Sequence, residues 1–431
     1  MVDLCLKNAK IPTQNSIVKG GVAIENGKIA SISKDALLPE ADKTIDLERR
    51  LLLPGIIDTH VHFREPGFTE KEDFSTGSKA AAAGGVTTIC DMPNNSPPTD
   101  TLERFREKKK LGQKKSYIDF GLHAMMTGSI EEGKKLIKQG AASLKLYPEI
   151  CDDSVTSQLQ DGNALLTVHP EDPAMFKEVD NGDFEDFLYS RPSKAEVSEI
   201  LRILNQVSDL HVHFCHVTTR KGLDHIMEGK INRNLTCEVT PHHLLLDKSH
   251  LEKYGSIAKT HPPLRSERDR RNLLRALEKG MIDIVATDHA PHTSQEKDQN
   301  ITEAPPGIVG VETSLPLMFT LVKEKKLSLY RMIEAMSLYP GRIFNLRNEE
   351  NIQKGTLIPG ADADIVVLDQ SQEWEIKGEE LHGKTKFTPF EGKKVVGKPF
   401  LTLVRGEIVF KEGEIIGKKE HGKFVSRKTQ T

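Results

Sequence analysis

The densest chemistry in the chain lies in DTHVHFREPG, residues 58–67, where His60 and His62 stand one residue apart and Arg64 follows. Side chains alternate faces along a strand, so an extended segment presents all three on one side. The preceding LLLPGIID is apolar enough for a buried strand, and Pro-Gly marks its exit into a loop. Two neutral imidazoles at the end of a core strand are half of a zinc site. An isolated pair of this kind is equally well satisfied by backbone carbonyls, so further ligands must come from elsewhere in the chain.

They recur at the ends of other apolar runs: His169 in ALLTVHP, His216 in LHVHFCHVT and Asp288 in IDIVATDHAPH, with Lys145 inside SLKLYP. Four histidines and an aspartate placed alike would hold two zinc ions if an anion bridged them. Lys145 is one candidate bridge. An ammonium does not bind a cation, but burial lowers a lysine's pKa, and a neutral amine adds carbon dioxide to give a carbamate that acts as a long carboxylate. Asp152 and Asp153, just past the same run, are rival bridges that need no modification. A buried, ion-paired Lys145 is the plain structural alternative. His289 reads as a residue orienting Asp288 or as a structural one, His242 and His243 as hydrogen-bonding groups in the same region, and His123 and His213 as structural.

Positioning these residues requires a repeating scaffold. Eight short β-branched runs (GIIDTH, GVTTICDMP, DFGLHAMM, ASLKLYP, ALLTVHP, LHVHFCHVT, LTCEVTPHH, IDIVATDHAPH) alternate with amphipathic stretches between Ile56 and Leu346. One helix is expected to start at Ser193, capped by its hydroxyl with Glu196 three residues on; another, SERDRRNLLRALEKG, is expected to stop at Gly280. Eight β-α alternations predict an α/β fold, a TIM (β/α)8 barrel over residues 55–349, whose chemistry sits at the carboxyl ends of the strands. Residues 1–54 and 350–417 are short strand-like pieces with too few apolar residues to fold separately, so both chain ends are expected to form one small β domain. Residues 418–431 are expected to be a polar, little-ordered tail, and the Lys-rich residues 106–115 a solvated helix end.

Composition narrows the partners. With 60 Lys and Arg against 63 Asp and Glu in 431 residues, a net charge of −3 gives no electrostatic case for nucleic acid or an anionic membrane. A small-molecule substrate is expected. No membrane-length apolar stretch or signal-peptide pattern is present, and the five cysteines form no CxxC, which together point to a cytoplasmic protein without a thiolate zinc site.

DTHVHFREPG, KEDFSTGSKAAAAGGVTTICDMPN, SLKLYP, HFCHVTTRKG, ATDHAPH and PPGIVGVETSLPL together resemble the dihydroorotases of the amidohydrolase superfamily, especially the longer type I enzymes, over nearly the whole chain. The resemblance implies reversible hydrolysis of (S)-dihydroorotate to N-carbamoyl-L-aspartate in de novo pyrimidine biosynthesis. It implies two zinc ions on His60, His62, His169, His216 and Asp288, with carboxylated Lys145 as bridge, although some type I relatives use an aspartate. Arg64, Asn94, His292 and the backbone of Pro306 and Gly307 are implied as substrate contacts, and Asp288 as the group that shuttles the proton. Where relatives carry Asn or Arg before the paired prolines, this chain has His261, with Arg265 as a compensating cation. Association with aspartate transcarbamoylase stays open. A hydantoinase or allantoinase on the same metals is the nearest alternative, and Arg64, matched to a substrate carboxylate, argues against it. The complete ligand set argues against a non-catalytic assembly protein.

Overall fold

The computed structural model of the chain describes residues 1–150, 164–179 and 182–428. Five strands open it: β1 (Val2–Pro12), β2 (Ile17–Glu25), β3 (Lys28–Ser33), β4 (Ala41–Asp46) and β5 (Leu51–Pro54). Asn26 and Gly27, both at positive φ (52° and 76°), make the tight turn between β2 and β3, where only such residues relieve the strain. Four more strands close the described chain: β15 (Ile365–Glu375), β16 (Lys394–Val404), β17 (Glu407–Lys411) and β18 (Glu414–Ile415). All nine belong to one sheet, in the order β18-β17-β16-β15-β5-β1-β2-β3 with β4 on β1, so both chain ends share a single sheet.

Alternation along β5 and β15 ties that sheet to the rest of the molecule. Leu51 and Leu53 join the large core while Leu52 joins the sheet's own, and Val366 and Leu368 point away from Ile365 and Val367 in the same way. Neither β5 nor the Ile365–Leu368 half of β15 has a polar face. This is why neither chain end has a core that would stand alone.

Between them run β6 (Ile56–Val61), β7 (Val86–Asp91), β8 (Asp119–Leu122), β9 (Ala124–Met125), β10 (Leu144–Leu146), β11 (Leu165–Val168), β12 (His211–Phe214), β13 (Leu235–Val239) and β14 (Ile284–Val285). Every pairing among them is parallel, in one sheet of β6-β7-β8 and another of β9 to β14. Only His123 separates β8 from β9, and a parallel bridge pairs Val61 of β6 with His289 just past β14. Helices between the strands, among them Phe74–Ala83, Ser193–Gln206, Arg220–Gly229 and Glu267–Glu278, bury their apolar stripes in the same large core. Gly280, at φ 72°, follows the last of these as expected.

Three local expectations fail for physical reasons. Pro192, not Ser193, holds the N-cap position of its helix, and no side chain caps it; Glu196 turns inward and accepts the backbone N–H groups of Thr218 and Thr219, each at 2.9 Å. Lys108 in the Lys-rich helix is fully buried, its ammonium 2.7 Å from Asp91 and 2.6 Å from the carbonyl of Met92. The polar tail is docked: Val425 donates to Phe120 O at 2.8 Å, Phe120 donates to Lys423 O at 3.0 Å, and the Phe424 ring packs on Phe105 and Phe120. Two apolar side chains and a short run of backbone pairing outweigh the tail's overall polarity.

Lys354 is a second buried cation, 2.7–2.9 Å from Asp119, Asp362 and Asp364, with Arg405 also on Asp119. This hub joins β8 to the chain-end sheet. Lys354→Met would leave aspartates facing one another out of water, and breaking a buried pair costs about 3–5 kcal/mol. A fall of that size is expected in the free energy of urea unfolding; a loss under about 1 kcal/mol would place the hub among screened surface pairs.

Candidate active site

His169 directly follows β11, His216 and Asp288 lie two and three residues past β12 and β14, and Lys145 is the middle residue of β10. All are buried at the carboxyl ends of the parallel strands. The opening histidine segment reaches the same place by a different route from the one expected. β6 ends at Val61; His62 extends its pairing through a 2.8 Å hydrogen bond to His289 O, and Arg64 leaves the strand with φ 61°. A turn, rather than strand alternation, brings the guanidinium to the imidazoles. His216 (φ 32°) and Asp288 (φ 48°) share this left-handed backbone. Such positions cost about 1–3 kcal/mol each and cluster where function requires a particular aim.

The donor atoms converge. Asp288 Oδ1 is 3.0 Å from His62 Nε2 and 3.3 Å from His60 Nε2, and His169 Nδ1 is 3.2 Å from His216 Nε2. Three of these imidazoles have a partner behind them. Glu238 accepts a hydrogen bond from His60 Nδ1 and also contacts His213 at 3.1 Å; Asn94 Oδ1 accepts from His62 Nδ1 at 2.7 Å; Glu171 lies 3.2 Å from His169 Nε2. Burial disfavours charge on His60, yet Glu238 and Asp288 outweigh it and push its pKa up to about 10. Burial raises the Asp288 carboxyl, but His60 and the His62 hydrogen bond hold it below the usual carboxylate range. His62, with burial dominant, falls to about 4.

Lys145 Nζ lies 2.9 Å from Cys215 Sγ and 5.3 Å from the centre of the Tyr147 ring. Among the described residues no carboxylate is within ion-pair distance of it, which removes the plain ion-pair alternative there. Asp152 and Asp153, the rival bridges, lie outside the described residues.

A cavity of about 200 Å³ opens onto this cluster, lined by the four histidines, Asp288, Lys145, Arg64, Asn94, Pro306 and Gly307, and also by Tyr147, Glu149, Arg191, His261 and Ala290. His292 is not on its wall. It stands behind Arg64, 3.0 Å from a terminal guanidinium nitrogen, while Arg64 Nε donates to Pro291 O at 3.1 Å. The His292 ring is itself held from both sides, Nδ1 3.3 Å from Glu296 and Nε2 3.0 Å from Pro306 O. Arg265 does not compensate at the cavity either: it is buried against Thr218 and the backbone of Arg191, while His261 itself lines the wall.

His289 Nδ1 accepts the N–H of Gly310 at 3.1 Å, the structural half of its expectation. His243 bridges Thr240 and Pro262 O, and His123 joins Ser143 to Thr59 O. Glu238, Glu171 and Arg191 escaped the sequence reading. Glu238 carried a signal, a charged residue on the inward side of the β13 run LTCEV, next to the buried His213.

These donors fit a divalent metal site. Imidazole nitrogens and one carboxylate, enclosed and individually oriented, are a borderline-soft set, and atoms of His60, His216 and Asp288 lie within 4.8 Å of one another. His216 Nδ1 is buried with no hydrogen-bond partner among the described residues, a cost that a ligand would relieve. The other oxygen-rich cluster, Asp119, Asp362 and Asp364, is already ion-paired with Lys354 and Arg405.

Comparisons with known proteins agree with this geometry. Residues 51–155 and 211–409 match the model of the amidohydrolase family. A dihydroorotase of Methanosarcina acetivorans is 39% identical, covering 99% of this chain and 96% of its own, and one of Methanosarcina mazei is 39% identical, covering 99% and 98%. Among solved structures, the L-hydantoinase (dihydropyrimidinase) of Arthrobacter aurescens superposes with a TM-score of 0.93 at 30% identity, over 99% of this chain and 100% of its own. With a family model over most of its length, a shared fold and full-length relatives, the chain belongs to the amidohydrolase family and groups by sequence with its dihydroorotases.

Proposed function

We propose that the chain is a dihydroorotase that interconverts (S)-dihydroorotate and N-carbamoyl-L-aspartate in pyrimidine synthesis. The observation that carries this reading is Arg64, fixed by Pro291 O and His292 at the wall of a histidine-lined cavity, where it would meet a substrate carboxylate. In this reading the parallel strands form a (β/α)8 barrel over 55–349, closed at the Val61–His289 bridge, with residues 1–54 and 350–417 as its companion domain. Two zinc ions would sit on His60, His62, His169, His216 and Asp288, bridged by a carbamate on Lys145. The working compartment is the cytoplasm, and the partner is the small molecule.

Ring opening breaks the bond between the ring nitrogen and the carbonyl carbon, adds water oxygen to that carbon and returns a proton to the nitrogen. When bound, the metals supply a Lewis acid for the carbonyl and lower the pKa of the attacking water. Arg64 offers its remaining donors as a fork to the substrate carboxylate. Asn94 spends its oxygen on His62, which leaves its NH₂ group to donate to the same carboxylate. Asp288, held ionised beside His60 and His62, accepts the proton and passes it to the leaving nitrogen; ring closure retraces that path. The neutral His292 behind Arg64 fixes the guanidinium, and Pro306 and Gly307 offer backbone groups at the wall.

Hydantoinase activity is the competing reading, prompted by the backbone likeness to the Arthrobacter enzyme. A plain hydantoin ring carries no carboxylate for Arg64. Arg64→Ala should therefore retain both metals and lose roughly a hundredfold or more in kcat/KM for dihydroorotate, the size of two charge-assisted hydrogen bonds. Arg64→Lys should rescue little, because a point charge does not reproduce the fork. Unchanged efficiency in Arg64→Ala would remove the reason to prefer dihydroorotate.

A further inference from the structure

Two adjacent residues, Pro291 and His292, aim the Arg64 guanidinium, through the Pro291 carbonyl and the His292 ring. The main chain there is held from an unexpected quarter. The Thr385 hydroxyl donates to His292 O at 2.8 Å, both residues are buried, and among the described residues no other donor meets that carbonyl. Thr385 lies in residues 376–393, the connection between β15 and β16 of the chain-end sheet. Its neighbours grip two further loops of the site. Lys384 Nζ is 2.7 Å from Asp73, the N-cap of helix Phe74–Ala83, and also meets Thr69 O on the loop that leaves Arg64. His382 holds Glu312 twice, with Nδ1 at 2.8 Å and its backbone N–H at 2.7 Å, at the end of the segment that brings Pro306 and Gly307 to the cavity wall. Its Nε2 faces Gly413 O at 3.2 Å, in the turn between β17 and β18.

We propose that residues 382–385 form a strap from the chain-end sheet that aims Arg64, with Thr385 as a positioning residue for recognition of the substrate carboxylate. The inference rests on the functional reading above, in which Arg64 receives that carboxylate. The ion pairs of His382 and Lys384 are part-exposed and screened by water, whereas the Thr385 hydrogen bond is buried. Without the hydroxyl, His292 O is a buried acceptor with no donor, and the peptide that carries both supports of Arg64 loses its tether. A fork of two parallel hydrogen bonds tolerates little error in aim. The carboxylate it binds is common to dihydroorotate and N-carbamoyl-L-aspartate and is not altered by the reaction. The loss therefore falls equally on both ground states and on the state between them, so KM rises in both directions while kcat holds.

The test is steady-state kinetics in both directions on the full-length, metal-loaded protein, with metal content measured for the wild type, Thr385→Val and Thr385→Ser. Thr385→Val keeps the shape and removes the donor; it is expected to raise both KM values about fivefold, the size of one buried hydrogen bond, with kcat within about twofold and metal unchanged. Thr385→Ser keeps the hydroxyl and should bring both KM values back to within about twofold of the wild type. Lys384→Ala, where exposure lowers the risk to folding, should show the same pattern at about twofold to threefold. In an Arg64→Ala background, Thr385→Val should cost less than about a further twofold in kcat/KM, because the group it aims is gone. Wild-type KM values in Thr385→Val, a fall in kcat without a rise in KM, loss of metal, or full additivity with Arg64→Ala would overturn the strap alone. A wild type that turns over neither compound would sink the functional reading and the strap with it.

Discussion

Lys145→Ala is expected to lose metal and activity together. Four imidazoles and Asp288 bring one negative charge to two divalent ions, so the pair lacks a second anion, and Lys145 is the only group that β10 directs to the cavity at that depth. Its amine is buried and has Cys215 rather than a carboxylate as its described neighbour, so no described ion pair competes for the position a carbamate would take. Activity should fall to background, with metal dropping from two equivalents toward one or none by elemental analysis. A short carboxylic acid in the buffer should restore part of both by filling the vacated space. If Asp152 or Asp153 is the bridge, the outcome reverses: Lys145→Ala keeps its metal, and Asp152→Ala or Asp153→Ala loses it.

Asp288→Asn should be nearly as damaging for a different reason. The amide keeps the shape of the carboxylate but does not accept the proton, and loss of a positioned acid-base group costs about 10²–10⁴-fold in rate. That loss is expected even in protein shown to retain metal. In the wild type the two directions should respond oppositely to pH. Hydrolysis of the dihydroorotate monoanion yields a dianion and releases a proton, so closure consumes one and gains rate as pH falls, while opening gains rate as pH rises. Metal-loaded Asp288→Asn protein with wild-type rates in both directions would contradict a single aspartate serving both.

Much of the scaffold was legible because it rests on local pattern. Each of the eight β-branched runs formed strand, one of them split into β8 and β9, and His169, His216 and Asp288 were readable from position alone as side chains that meet at one cavity. What escaped depends on contacts between distant segments. No local signal shows that Arg64, His216 and Asp288 take left-handed backbone, since the strain is held by tertiary packing. The pairing of His60 with Glu238 spans 178 residues, and that of Arg191 with Glu171 requires the connection after β11 to fold back on its own strand end. Lys108 and Phe424 were misjudged because average polarity hides a single side chain whose partner lies elsewhere: Asp91 for the lysine, Phe105 and Phe120 for the ring. His292 was placed at the right loop but one layer too far forward, a distinction that only coordinates make.

The most direct measurement is turnover of dihydroorotate, N-carbamoyl-L-aspartate, hydantoin and allantoin by one preparation of the full-length protein whose bound metal is quantified. Reversible conversion of the first two, with about two equivalents of zinc and rates on hydantoin and allantoin lower by at least roughly a hundredfold, is the expected result, because those rings leave Arg64 without its carboxylate. Preferred hydrolysis of hydantoin or allantoin, or full activity on dihydroorotate in metal-free protein, would contradict it.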